Sequence, residues 1–298
     1  MIEFLGDTMV KVLEHYHLGE NNYKIIFDVP KLVKKSEPGQ FVVLRVSENG
    51  ERIPMSIGDM DAKTGALTVV YQILGKTTAL LATVKPGEHI MDCVGPMGNP
   101  SHVDKKGKYM VIGGGIGIAP IHPVAKKARE NGNEVFGIIG SRTQNLLFFE
   151  EEMRRACDHL YVCTDDGSYG EKGFVTTVLQ RLINEGQKPD FILAIGPVPM
   201  MKAVCNTSRP YAIPTWVSVN PIMIDATGMC GACRVSVGGV TKFGCVDGPD
   251  FDGHLVDFDQ LTSRLKMYFP QERQSMEKFE REHQPCYIGL KESPKQTA

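Results

Sequence analysis

Val111-Ile112-Gly113-Gly114-Gly115-Ile116-Gly117-Ile118-Ala119-Pro120 is an apolar run that breaks into glycines and resumes as a helix-forming segment. Glycines at a strand end let the backbone approach a pyrophosphate, and a helix N-terminus favours negative charge. The stretch departs from G-x-G-x-x-G, since Ile118 stands where the last glycine belongs. Taken alone, it is equally a structural turn. Around it, apolar segments at 109–112, 134–139, 159–164 and 191–195 alternate with helical patterns at 118–131, 150–156, 174–185 and 200–206. That alternation predicts a parallel sheet with crossover helices.

Upstream the pattern is different. Short strands at 8–16, 23–29, 40–46, 52–57, 66–73 and 89–94 are punctuated by Pro38-Gly39, Asn49-Gly50, Thr64-Gly65 and Pro86-Gly87. They predict an antiparallel barrel or sandwich, with a short helix at 77–84. A polar link at 101–108 joins the two regions. Downstream, a strand at 215–219 leads to a hairpin at 234–237 and 240–243 around Gly238-Gly239, followed by helical patterns from Asp257 onward and at 276–283.

Asp225, Cys230, Cys233 and Cys245 follow Asp-x4-Cys-x2-Cys-x11-Cys among closely spaced glycines. Glycines bring backbone amides close to an anionic centre, as an iron–sulfur cluster requires. Tetrahedral zinc is the rival reading of the same donors. Asp225 stands where a plant-type spacing carries a thiolate, and Asp252 and His254 are the local alternatives for the fourth ligand. Cys93, Cys157, Cys163, Cys205 and Cys286 are scattered and read as small buried hydrophobes.

Composition narrows the class. The chain has 298 residues, 42% hydrophobic and 23% charged, enough for about two domains. A net charge of -2 gives no basic face for nucleic acid. The N-terminus lacks the basic start and apolar run of a signal peptide, and the longest apolar stretch, 110–125, is too short and glycine-interrupted to span a membrane. A cytoplasmic protein is expected.

Together these stretches resemble the ferredoxin–NADP reductase family, in which a flavin-binding barrel precedes a nicotinamide-binding α/β domain. Arg52-Ile53-Pro54-Met55-Ser56-Ile57 resembles the family's flavin segment, where the arginine pairs with pyrophosphate and the serine lies near the isoalloxazine. Pro54 and Met55 replace the aromatic stacking residue of many members, which makes Tyr71, beside Gln72, a candidate flavin contact. Gly75-Lys76-Thr77-Thr78 resembles the second phosphate-binding turn and is equally an N-capped helix. On the nicotinamide side the resemblance implies contacts from Gly114, Gly115, Gly117, Pro120, Ser141, Arg142, Asp165, Gly196, Pro197 and Met200. Arg142 suits a 2′-phosphate or adenine stacking and does not separate NAD from NADP. Ile195 stands where many members carry cysteine.

The segments 218–223 and 245–251 narrow the resemblance to dihydroorotate dehydrogenase electron-transfer subunits. Asp225 is similar to the small subunits of electron-bifurcating NADH-dependent reduced ferredoxin:NADP oxidoreductases, also called sulfide dehydrogenase subunits. The resemblance implies a [2Fe–2S] cluster on Asp225, Cys230, Cys233 and Cys245. It also implies FAD, NAD(H) or NADP(H), and a large flavin- and iron–sulfur-containing partner in a heterodimer, with ferredoxin reached through that partner. The implied oxidoreductase converts hydride into single electrons and needs no general acid or nucleophile. The expected organisation is a flavin barrel at 1–100, a nicotinamide-binding α/β domain at 101–218, a cluster domain at 219–260 and a helical tail at 261–298. An electron-transfer subunit for dihydroorotate or another dehydrogenase is the first alternative. A zinc-stabilised nucleotide sensor is the alternative of another class.

Overall fold

The computed structural model describes residues 9–104, 106–282 and 291–292. The first strands run antiparallel because their apolar residues alternate and tight turns join them. Val10–Gly19 pairs with Asn22–Asp28, which pairs with Ala66–Gln72, and Asp59–Asp61 closes that side. A second sheet has the order Arg52–Ser56, Phe41–Arg45, Asp92–Met97. Of the two antiparallel forms expected, barrel or sandwich, the layout is that of the second. Among the described residues the ladders form two sheets over one core rather than one closed cylinder.

The strand expected at 89–94 is two strands that break at Met91. His89–Ile90 pairs with the first sheet and Asp92–Met97 with the second, so the chain changes sheets there. Val12, Ile25, Phe27 and Leu67 of one sheet meet Val42 and Leu44 of the other in a common core. Fully burying each such side chain contributes about 1.5–3 kcal/mol.

The second region is a seven-stranded sheet. Its order is Glu171–Lys172, His159–Thr164, Glu134–Ser141, Lys108–Gly114, Phe191–Ile195, Thr215–Ser218, Asp250–Asp252, parallel except for the last pair. Both faces are covered, which explains the uninterrupted apolar run of the central strand. Met110 and Ile112 enter the core on one face, Tyr109 and Val111 the core on the other. The edge strand Asp250–Asp252 comes from within the expected cluster segment.

Helices Ile118–Glu130, Glu150–Ala156, Val175–Asn184 and Val198–Ser208 make the crossovers, and Phe258–Leu265 and Phe269–Glu282 follow the cluster segment. The tail is more than helical, because Lys291–Glu292 pairs in parallel with Tyr16 and His17. Cys93, Cys157, Cys163 and Cys205 are buried free thiols, pushed up to about 12 by burial, as small core hydrophobes would be. Cys286 lies outside the described residues. Among the described residues no helix is long and apolar enough to cross a membrane.

Candidate functional site

The strand order reverses between Lys108–Gly114 and Phe191–Ile195, where sheets of this kind bind ligands at the carboxyl ends of their strands. The glycines there differ in purpose. A Cβ on Gly117 would lie 2.0 Å from the Ile195 carbonyl oxygen, so the helix start rests directly on the neighbouring strand end. One on Gly114 would meet Met200 Sδ at 2.2 Å, and one on Gly196 would meet Met200 Cε at 2.7 Å. Met200 thus lies across both strand ends. Gly115 has φ +54 and open space around it, which leaves its backbone accessible. Pro197 is exposed at the start of Val198–Ser208, whereas Pro120 is buried inside its helix and acts by packing.

Two loops beside this point are tied together, since Asp165 N–H donates to Ser141 O and Asp166 N–H to Arg142 O. The Ser141 hydroxyl donates to Thr143 O at 2.7 Å. Arg142 extends into solvent, 3.8 Å from Glu20. The Asp165 carboxyl is raised above its ordinary range by desolvation and then by Asp166, with Arg142 opposing. Polar and charged groups therefore border this side of the glycine surface.

Arg52–Ser56 is an edge strand, the place where Pro54 costs no ladder hydrogen bond. Arg52 and Ser56 are exposed, and Pro54 and Met55 are half-buried. Arg52 lies 3.6 Å from Asp92, which also pairs with Arg45, so a guanidinium half open to solvent remains for a phosphate. Ile57 is fully buried and contributes to the core. Tyr71 requires a correction. It is 1% exposed, stacks on Tyr23 and shares a 2.9 Å hydrogen bond with His15 Nε2, so its ring offers no face to a ligand. Gln72 is half-buried beside it.

Gly75 begins the helix Lys76–Leu81 with open space around its Cα, and Lys76 is exposed. The hydroxyls are already engaged. Thr78 Oγ1 accepts from the amides of Leu74 and Gly75, and the Thr77 hydroxyl donates to Glu51. Any anion here would be met by backbone amides and Lys76.

The cluster segment presents its donors in two pairs. The Cys233 thiol donates to Cys245 Sγ at 3.2 Å, and both are buried. Asp225 Oδ2 accepts from Cys230 N–H at 3.1 Å, and its Oδ1 from Thr227 N–H at 2.9 Å. The Thr227 amide first, and Cys230 after it, hold the Asp225 carboxyl below its ordinary range, so it is an anionic donor. The Cys245 thiol is pushed up to about 12, by burial first and then by Cys233, so binding a metal must expel its proton.

Among the described residues no three His, Cys, Asp or Glu groups converge on one point. Three thiols and a carboxylate, with two of the thiols side by side, suit a [2Fe–2S] centre, which takes two ligands per iron. The alternatives are engaged elsewhere. Asp252 accepts from His254 N–H, and His254 Nε2 meets Ser208 Oγ at 3.0 Å.

One arrangement joins the Arg52–Ser56 edge to this loop. Along Phe41–Arg45, Val42 and Leu44 point into the core between the two sheets, while Phe41 and Val43 pack with Met97, Ala226, Cys233 and Cys245. In the same ladder Phe41 is directly opposite Ser56 on one side and Met97 on the other. Ser56 is thus one strand spacing, about 4.8 Å, from the strand that packs on Cys233 and Cys245. Asn99 strengthens the junction by donating its amide to Gly248 O at 2.7 Å and its side chain to Val246 O.

Comparison with known proteins agrees with these regions. The iron–sulfur cluster binding domain of dihydroorotate dehydrogenase B matches residues 220–257, and the oxidoreductase NAD-binding domain matches 111–206. A dihydroorotate dehydrogenase B (NAD(+)) electron transfer subunit homolog of Thermotoga maritima is 43% identical, covering 92% of this chain and 96% of that one. The corresponding subunit of Geobacillus thermodenitrificans is 34% identical, covering 83% and 97%. A solved chain from work on flavin-based electron bifurcation by NADH-dependent reduced ferredoxin-NADP oxidoreductase is 42% identical, with a TM-score of 0.87 and coverage of 93% and 99%. The chain belongs to the family of dihydroorotate dehydrogenase B electron-transfer subunits and their homologues.

Proposed function

We propose that this chain is the NAD(H)-side oxidoreductase subunit of a flavin-based electron-bifurcating NADH-dependent reduced ferredoxin:NADP oxidoreductase, working with a larger flavin- and iron–sulfur-containing partner in the cytoplasm. When bound, FAD takes the two electrons of a hydride together and releases them singly to a one-electron [2Fe–2S] centre. The chain's own residues bind and orient. Arg52 and the Gly75–Lys76 turn face the flavin phosphates, and Ser56 lies at the exposed strand edge. Gly114, Gly115, Gly117 and Gly196 give the nicotinamide cofactor a backbone surface under Met200. Asp225 with Cys230, and Cys233 with Cys245, hold the cluster.

The observation that carries this reading is the three-stranded sheet shared by both redox sites: Ser56 faces Phe41, and Phe41 packs on Cys233 and Cys245. The two readings have relatives of similar identity and coverage, and Asp225 in the first ligand position, where the sequence resembles the bifurcating small subunits, favours the bifurcating one over a pyrimidine-synthesis role. Copurification from the native source, with partner identification and with flavin, iron and sulfide analysis, tests it. The expected result is a coloured complex with a larger flavin and iron–sulfur subunit. A dihydroorotate dehydrogenase as the partner would establish the alternative, and a colourless zinc protein would overturn both.

A further inference from the structure

The turn between Cys230 and Cys233 is held from outside by two guanidinium groups. Arg234 Nη1 donates to Gly231 O at 2.8 Å, and Arg264 Nη2 donates to Ala232 O at 2.9 Å. In a trans peptide the C=O and the following N–H point in opposite directions. Drawing the Gly231 carbonyl outward therefore turns the Ala232 N–H toward the ligand side, where it lies 3.5 Å from Cys230 Sγ. By the same geometry the Arg264 contact turns the Cys233 N–H away from Arg264. Gly231 permits the turn with φ +64.

Arg264 comes from a distant element, and that element is fixed. It lies in the last turn of Phe258–Leu265, whose first turn is capped by Asp257 accepting from Gln260 N–H at 2.9 Å. Leu261 is 1% exposed in the core of the parallel-sheet region, and the Asp257 amide donates to Ser236 O in the cluster segment's hairpin. Asp259 adds an ion pair to Lys202 on Val198–Ser208, the helix that begins beside the nicotinamide end of the sheet. Arg264 is half-buried, so water screens its charge less than that of a free surface arginine.

We infer that Arg264 is a positioning residue that sets the reduction potential of the cluster, by fixing the Ala232–Cys233 peptide next to the Ala232 N–H contact with Cys230 Sγ and by placing a fixed positive charge behind it. Reduction adds an electron to an already anionic group, so amide donors and a cation both favour the reduced form. Loss of Arg264 therefore lowers the potential. The inference rests on the assignment of Cys230, Cys233 and Cys245 as ligands.

The test is a redox titration of the full chain followed by the cluster's paramagnetic resonance signal, with the bound flavin titrated in parallel. Arg264→Gln is expected to cut the reduced-to-oxidised ratio at fixed potential roughly tenfold, a shift of about 59 mV for a one-electron couple. The flavin potential should stay in place, and Arg129→Gln, remote on Ile118–Glu130, should shift neither. Should Arg264→Gln lose its cluster, Arg264→Lys carries the measurement, with a smaller shift in the same direction expected. A cluster potential that stays in place, or one that moves together with the flavin's, overturns the inference. Iron and sulfide missing from the wild-type chain would overturn the ligand assignment as well, so the two failures are distinguishable.

Discussion

At the ends of Lys108–Gly114 and Phe191–Ile195 the proposed ligand surface is made of backbone; between residues 225 and 245 it is made of side chains. The first lies on a sheet buried on both faces, and closeness dictates its glycines: Gly117 leaves no room beside Ile195 O, and Gly114 none beneath Met200. The second has little regular structure. Paired donors, a small apolar core with Phe41 and Val43, and hydrogen bonds from Arg234 and Arg264 define it. A backbone site is thus fixed by packing before any ligand arrives, whereas a donor site completes itself when metal expels the protons of its thiols.

The sharpest break in that contrast is Cys245→Ser. It should abolish bound iron and acid-labile sulfide while NADH binding persists, as read by metal analysis and fluorescence titration. Loss of both together would mean that the two regions are not independent. Gly117→Ala should do the reverse. Its Cβ meets backbone rather than a flexible side chain, so about 1–3 kcal/mol of stability and much of the NADH affinity should be lost, with the cluster retained. Gly115→Ala provides the internal comparison, since it adds no clash and only the left-handed backbone cost of about 1–2 kcal/mol. A Gly117→Ala melting curve that matches the wild type's would refute the packing argument.

Asp225→Cys is a finer probe, expected to keep the cluster and move its midpoint potential. An unmoved potential would reduce Asp225 to a turn residue. The smallest effect is assigned to Asp250, which joins the cluster segment to the linker by accepting from Ser101 Oγ at 2.5 Å. Burial raises its carboxyl above the ordinary value of about 3.9, so the stability tied to its proton is full below that pH and is lost as pH rises through the folded value. The stability of the wild type minus that of Asp250→Asn should therefore fall with rising pH from about 4 and then level off. Denaturant melts across that range would show a flat difference if the carboxyl titrated normally.

Much of this was legible in the residues. The strand and helix segments around Gly113–Gly117 appear where periodicity puts them, and the hairpin Arg234–Val237 and Val240–Phe243 forms as expected. The burial of the Tyr71 ring had a signal in the sequence: Leu67, Val69 and Tyr71 share one face by their spacing of two, and that face is the core. Thr77 and Thr78 look like phosphate ligands, but their hydroxyls satisfy Glu51 and the helix start. Arg264 carried no local signal, because it acts on a carbonyl 32 residues away.

What the sequence determined by itself is the chemistry that local rules encode: glycines at a strand end, an Arg–Ser strand segment, and three thiols and a carboxylate spaced for metal ligation. What only the tertiary structure decided is adjacency. The run Phe41-Val42-Val43-Leu44 announces burial on both faces but not what lies on each, and folding gives one face to the core between the sheets and the other to Cys233 and Cys245. Periodicity and steric preference act over a few residues, whereas the contact of position 41 with positions 56, 97, 233 and 245 depends on how whole sheets pack.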